Sequence, residues 1–134
     1  MATIARFEDL KSWQKARQLS LHIYELTRNR NFYADPDLTR QIRRASGSVM
    51  DNIAEGYGRG GRLEFVQFLG IAKGSLTEVK SQLYRSLDNE YVSQQEFETL
   101  YQEADETGKL IDGMIVYLNK TDVKGRKYQQ APTN

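Results

Sequence analysis

The sequence has no cysteine, one histidine and two prolines in 134 residues. The lack of cysteine excludes disulfides, thiolate catalysis and cysteine-ligated zinc or iron–sulfur centres. No apolar run approaches the roughly 20 residues of a membrane span, and the first residues lack the apolar core of a signal peptide. We therefore expect a soluble, cytoplasmic protein with no membrane partner.

The formal charge of +1 hides an uneven distribution along the chain. Residues 38–62 carry five arginines against two acids, a balance of +3, and residues 93–119 carry six acids against one lysine, a balance of −5. Residues 120–134 carry four basic residues against one acid, again +3. Such segments allow a nearly neutral protein to present a basic surface to one partner and an acidic surface to another. The alternative is that each segment is only the solvated face of a helix.

Apolar residues recur at spacings of three and four, the period of amphipathic helices, and no stretch alternates like a half-buried strand. Four such segments begin, in order, near Glu8, at the cap Asp35-Pro36, near Arg62 and at the capping box Ser93–Glu96. The first extends to about Arg30. The pattern predicts an all-α, antiparallel up-down-up-down four-helix bundle over residues 1–119, followed by a basic, disordered tail over 120–134.

Motifs for catalysis and cofactor binding are missing or out of context. A di-iron bundle needs Glu-x-x-His pairs, but the residue three before His22 is Leu19. The run Gly56–Gly61 matches G-x-G-x-x-G formally, yet it follows a predicted helix where the dinucleotide motif follows a strand. We predict no enzyme, no metal and no cofactor. Two interpretations of the glycine run stay open: a flexible connector, or backbone amides that dock a phosphate beside Arg59 and Arg62.

The second segment has three distinct sides when drawn as a helix. Its apolar seam consists of Leu38, Ile42, Ala45, Val49, Ile53 and Gly56. A polar stripe beside the seam, typical of a hydrogen-bonded contact with a neighbouring helix or subunit, consists of Gln41, Arg44, Ser48, Asn52 and Glu55. The far side carries Arg40, Arg43, Gly47 and Ala54, where the glycine lets a subunit or a phosphate backbone come close.

Three blocks carry a resemblance to a known family: QIRRAS at residues 41–46, NIAEGYGR at 52–59 and EFVQFLGIAKGS at 64–75, with FEDL at 7–10 and Trp13 before them and Glu78 after them. The chain resembles the bacterial 23S rRNA intervening-sequence (S23) proteins, which are related to accessory variability determinants of diversity-generating retroelements. The resemblance covers roughly residues 7–119. It implies a four-helix bundle that forms a homopentameric barrel, and in the retroelement branch a barrel that binds reverse transcriptase and nucleic acid. It supplies no catalytic residues.

Two functions remain in competition. The leading hypothesis is a non-enzymatic oligomer that binds RNA or DNA, with phosphates held by Arg40, Arg43, Arg44, Arg59 and Arg62. Structural or subunit-interface roles fall to Gln41, Ser48, Asn52, Glu55 and Gly56. The alternative is a scaffold that recruits a protein such as a reverse transcriptase through its acidic fourth segment. Five tyrosines add contact area for self-association or border the core: Tyr57, Tyr84, Tyr91, Tyr101 and Tyr117.

Overall fold

The computed structural model describes residues 3–120 and 128–129. The chain is built almost wholly from helices: a 3₁₀ turn at Phe7–Asp9, then α1 (Lys11–Leu26), α2 (Arg30–Tyr33), α3 (Pro36–Gly58), α4 (Arg62–Asp88) and α5 (Gln94–Lys120). Two short strands, β1 (Thr3–Ile4) and β2 (Tyr128–Gln129), pair antiparallel. The predicted all-α class is confirmed, and the two strands, of two residues each, are a described feature that the sequence did not predict.

The four long helices form a bundle around one apolar core. Helix α1 packs against α3 and α5, and α4 packs against the same two helices, so α1 and α4 lie diagonally across the bundle. All six residues of the predicted α3 seam are buried. The core extends to the N-terminal segment, where Ile4 is buried and its carbonyl accepts a hydrogen bond from the Tyr57 hydroxyl at 3.2 Å.

Two helix starts match the caps predicted from the sequence. At α3, the Asp35 carboxylate accepts a hydrogen bond from the Leu38 amide at 3.1 Å, and Pro36 occupies the first helical position. The same carboxylate accepts a bond from the Tyr91 hydroxyl at 2.9 Å. These bonds, the Leu38 amide first, hold the pKa of Asp35 below its ordinary value.

The second cap closes the start of α5. The Ser93 amide donates to the Glu96 carboxylate at 2.8 Å, and the Glu96 amide donates to Ser93 Oγ at 3.1 Å. This reciprocal pair is the predicted capping box, and it satisfies two amides that the helix itself leaves free.

The first segment is broken, contrary to the single predicted helix over 8–30. Helix α1 ends at Leu26, and Asn29 then caps the one-turn α2, its side-chain oxygen accepting from the Phe32 amide at 3.0 Å. The break brings Phe32 into the core, where it is fully buried.

The described structure covers only part of the predicted tail over 120–134. Lys120 is the last residue of α5, and Tyr128–Gln129 forms β2. Residues 121–127 and 130–134 lie outside the described residues. The disordered tail therefore stays a prediction.

Candidate nucleic-acid interface

The five candidate arginines do not form one patch. Arg40, Arg43 and Arg44 lie on the first half of α3, whereas Arg59 and Arg62 flank the loop to α4. Two of them meet carboxylates on their own helix or its end: Arg40 approaches Asp37 at 3.5 Å, and Arg59 approaches Glu55 at 2.9 Å. The hydrogen bond to Glu55 also raises the pKa of Arg59 above its ordinary value.

The other three candidate arginines have no carboxylate partner among the described residues, and two of them reach a neighbouring helix. Arg43 Nε donates to Thr27 Oγ1 at 2.8 Å, and its guanidinium lies 4.6 Å from the ring centre of Tyr24. Arg62 donates to the carbonyl of Leu118 near the end of α5 at 3.4 Å. Arg44 is exposed to solvent. Arg43 is thus partly a link between α1 and α3, a role the single-helix pattern did not show.

The polar stripe of α3 faces α4 within the same chain. Ser48 Oγ and Ser75 Oγ lie 2.9 Å apart, and Asn52 Nδ2 donates to the Ser48 carbonyl at 2.8 Å and to its hydroxyl at 2.9 Å. One end of the stripe continues across the helices, because Arg85 donates to Gln41 Oε1 at 3.2 Å. Within the described structure, the other end of the stripe makes no such contact with α4, since Glu55 pairs with Arg59 at the end of its own helix. The stripe therefore joins α3 to α4 of the same chain at Gln41 and Ser48.

Gly56 lies at a close approach of α3 and α4. A Cβ placed on it would lie 2.5 Å from Phe68 Cβ and 3.2 Å from Phe65 Cδ1. The loop beyond it turns at Gly60, whose φ of 84° is a conformation that favours glycine. The glycine run thus serves close packing at one end and a tight turn at the other. Its proposed phosphate site stays a prediction.

A shallow groove of about 310 Å³ opens beside the polar stripe, between α3 and α4. Arg40 and Arg44 line one side, and Glu78 and Gln82 line the other. Gln82 is buried, and its Oε1 has no hydrogen-bond partner among the described residues. The groove mixes both signs of charge, so it is not a purely basic site.

A larger groove, of about 700 Å³, runs along α1 where it meets α3, and the sequence did not predict it. Of its described lining residues, Met50 alone comes from α3. The described residues that line it include no acid: Gln14, Arg17, Gln18, Ser20, Leu21, Tyr24, Arg28 and Met50. Arg17 also lies 5.6 Å from the ring centre of Trp13. A detectable signal was present, since Arg17, Leu21, Tyr24 and Arg28 follow spacings of four, three and four. The apolar seam of the first segment does not include this side of the helix.

The lone histidine is held by a carboxylate. Its Nδ1 lies 2.7 and 2.8 Å from the two carboxylate oxygens of Glu103, which ties α1 to α5. No group of three or more histidine, aspartate or glutamate side chains that could hold a metal occurs within the described ranges. No helix among them is long and apolar enough to cross a membrane.

These features define a helical-bundle protein with arginine-bearing polar faces. Residues 8–113 match the family model described as 23S rRNA-intervening sequence protein, and the chain belongs to that family. A similar solved structure is that of a protein of unknown function from the S23 ribosomal protein family of Bacteroides thetaiotaomicron, with a TM-score of 0.71 and 23% identity. That likeness covers 78% of this chain and 97% of the other, and it supports the fold. No curated protein matches the sequence.

Proposed function

We propose that the chain is a non-enzymatic, cytoplasmic, oligomeric bundle protein that binds nucleic acid, structured RNA foremost. The observation that carries the proposal is the distribution of partners among charged groups. Arg43, Arg44 and Arg62 lack carboxylate partners in the described structure, whereas three of the six acids of α5 are met by lysines: Asp105 by Lys80, Glu106 by Lys15 and Asp112 by Lys73. Guanidinium groups that have no carboxylate partner suit the planar, bidentate recognition of phosphate.

The two remaining candidates are compatible with this role. The ion pairs of Arg40 with Asp37 and of Arg59 with Glu55 are exposed, and exposed pairs contribute little to stability. Breaking either pair, so that the guanidinium becomes available to a phosphate, therefore costs little. The family description, which refers to 23S rRNA, supports structured RNA as the first partner to test.

We assign the antiparallel up-down-up-down topology to the bundle as part of the same proposal. Contacts between α3 and α4 support it because they run in opposite directions along the two helices: Gln41 meets Arg85, Ser48 meets Ser75, and Gly56 approaches Phe68. The ion pairs between α4 and α5 also run in opposite directions along the two helices: Lys73 pairs with Asp112, and Lys80 pairs with Asp105.

Self-association into a pentamer is the second part of the proposal, and α4 offers the surface for it. Leu63 is 67% exposed and Ile71 is 52% exposed, and they lie on one side of the helix. Gly70 and Gly74 on the same side have open space where a Cβ would lie. Apolar side chains flanked by glycines let a second helix approach closely. Burial of this exposed apolar area between copies would favour association.

We expect the double variant Leu63→Glu/Ile71→Glu to lose the assembly, because charge would then have to be buried between copies. Light scattering should give five times the chain mass for the parent and one chain mass for the variant. Leu21→Glu is the matched control, because Leu21 is 55% exposed on α1, diagonally opposite, and its variant should keep the parent mass. If the parent has the mass of one chain, self-association is wrong. If its mass is a multiple of the chain mass other than five, the pentamer is wrong.

Nucleic-acid binding is tested with fluorescently labelled 23S rRNA fragments and a DNA duplex, titrated at two salt concentrations. Arg44→Gln should weaken binding and reduce the slope of log affinity against log salt by about one for each phosphate that Arg44 neutralises. Lys109→Gln removes the same charge from an exposed position on the acidic α5 and should leave the slope unchanged. If the parent assembly binds none of the probes at low salt, nucleic-acid binding is wrong. The scaffold alternative, with a partner such as a reverse transcriptase, would then take its place.

A further inference from the structure

We infer that the groove between α1 and α3 binds a single-stranded stretch of nucleic acid, with phosphates on Arg17 and Arg28 and a base on Tyr24. This inference rests on the proposed function and assigns it a surface that the five candidate arginines do not define. It also narrows the partner to RNA loops, tails or other unpaired segments.

The charge of the groove favours this occupant. Neither Arg17 nor Arg28 forms an ion pair with a carboxylate of the described structure, and no acid is among the described residues that line the groove. Both side chains are exposed at the groove. A polyanion is the partner that fits such a groove, because its phosphates would supply the missing counter-charges.

An aromatic ring lies among the basic groups of the groove. Tyr24 is 39% exposed, and the guanidinium of Arg43 lies against it at 4.6 Å while donating to Thr27. These contacts fix both planar groups before any ligand arrives. Exposed rings and guanidinium planes are the platforms on which unpaired bases stack, whereas the bases of a duplex are already stacked on each other.

The groove is continuous with the outer face of α3. Arg43 and Met50 lie on the α1 side of that face, Arg44 lies toward α4, and Gly47 between them has nothing within 4 Å of a Cβ position. A chain that leaves the groove could therefore cross α3 over Gly47 and reach Arg44. Asp51, exposed on the same helix, is an acidic group that such a path must pass.

The position of the groove is also compatible with assembly through α4. A ring of copies joins two different faces of each chain. The groove therefore requires that the face receiving Leu63 and Ile71 of the next copy is not α1, which lies diagonally across the bundle from α4. A ring of copies would then repeat the groove once per chain and multiply the affinity for a long single strand.

The test compares an unstructured, labelled 20-nucleotide RNA with the matching RNA duplex, using fluorescence anisotropy on the parent assembly. Tyr24→Leu should weaken single-strand binding about 5- to 150-fold, the range for loss of one stacked base, with little change for the duplex. Tyr24→Phe keeps the ring and should bind like the parent. Tyr33→Leu removes a more exposed tyrosine, at 82%, from outside the groove and should also bind like the parent.

The charge contribution is tested separately with Arg17→Gln/Arg28→Gln. Its log–log salt slope for the single strand should fall by about 1.4, since each phosphate neutralised on a single strand contributes about 0.7. Circular dichroism and light scattering should show the parent fold and mass for every variant. A changed mass would instead make the groove an interface between copies and overturn the inference.

The outcomes separate the groove from the proposed function. If the parent binds the RNA probes and Arg44→Gln weakens that binding, while the Tyr24→Leu and Arg17→Gln/Arg28→Gln variants behave like the parent, the groove assignment is wrong and nucleic-acid binding stands. Preference of the parent for the duplex over the single strand would also overturn it. If the parent binds no probe at low salt, the proposed function itself, nucleic-acid binding, is wrong.

Discussion

Replacing Phe32 by alanine is expected to lower the free energy of unfolding by about 3–5 kcal/mol, the range for truncating a fully buried phenylalanine. Its ring lies 5.3 Å from the ring of Tyr91, in the connection between α4 and α5. Helix α2 has only four residues, and a helix of one turn is not stable without tertiary contacts. Truncation would therefore open a cavity and also release the connection between α1 and α3.

Urea denaturation at one fixed protein concentration measures this loss, because an oligomer's apparent stability depends on concentration. Tyr33→Ala is the matched control: the next residue of the same helix is 82% exposed, and its truncation should change stability by no more than about 0.5 kcal/mol. Equal losses for the two variants would mean that α2 contributes through its backbone alone, and the role assigned to the Phe32 ring would be wrong.

Phe32 shows where prediction from the sequence reached its limit. A one-turn helix is too short to display a hydrophobic period, so the local pattern placed the end of a longer helix just before Phe32. Its ring packs against Tyr91, 59 positions further along the chain, and a local pattern does not show such a contact. By contrast, α3 was predictable in detail because its cap, its first proline and its seam are all local signals.

The candidate site was predictable to a smaller extent for a related reason. The pattern of one helix shows which residues share a side, but not which groups the neighbouring helices bring to them. Arg43 was assigned to an outward face, and the structure shows it against Thr27 and Tyr24 of the α1 end. Tyr57 was predicted to add contact area for self-association or to border the core. It is buried and bonded to the Ile4 carbonyl, so the self-association role is wrong for that residue.

Gly56→Ala tests the close packing of α3 against α4, and we expect it to lower the free energy of unfolding by about 1–3 kcal/mol, as overpacking does. Alanine is favoured over glycine inside a helix by about 1 kcal/mol, so local preference alone predicts the opposite sign. The steric cost wins because the added Cβ would meet Phe68 Cβ at 2.5 Å, an atom attached directly to the α4 backbone. Rotation of the Phe68 ring cannot relieve that clash.

Gly47→Ala supplies the matched control on the same helix. Nothing lies within 4 Å of a Cβ at Gly47, so this variant should gain up to about 1 kcal/mol through helix preference and the reduced freedom of the unfolded chain. Denaturant midpoints should therefore move in opposite directions for the two alanines. If both variants gain stability, α3 and α4 must move apart to accommodate the added Cβ at position 56 without a loss of stability. The hydrogen bond between Ser48 and Ser75 would then lengthen as well, and the close packing assigned to Gly56 would be wrong.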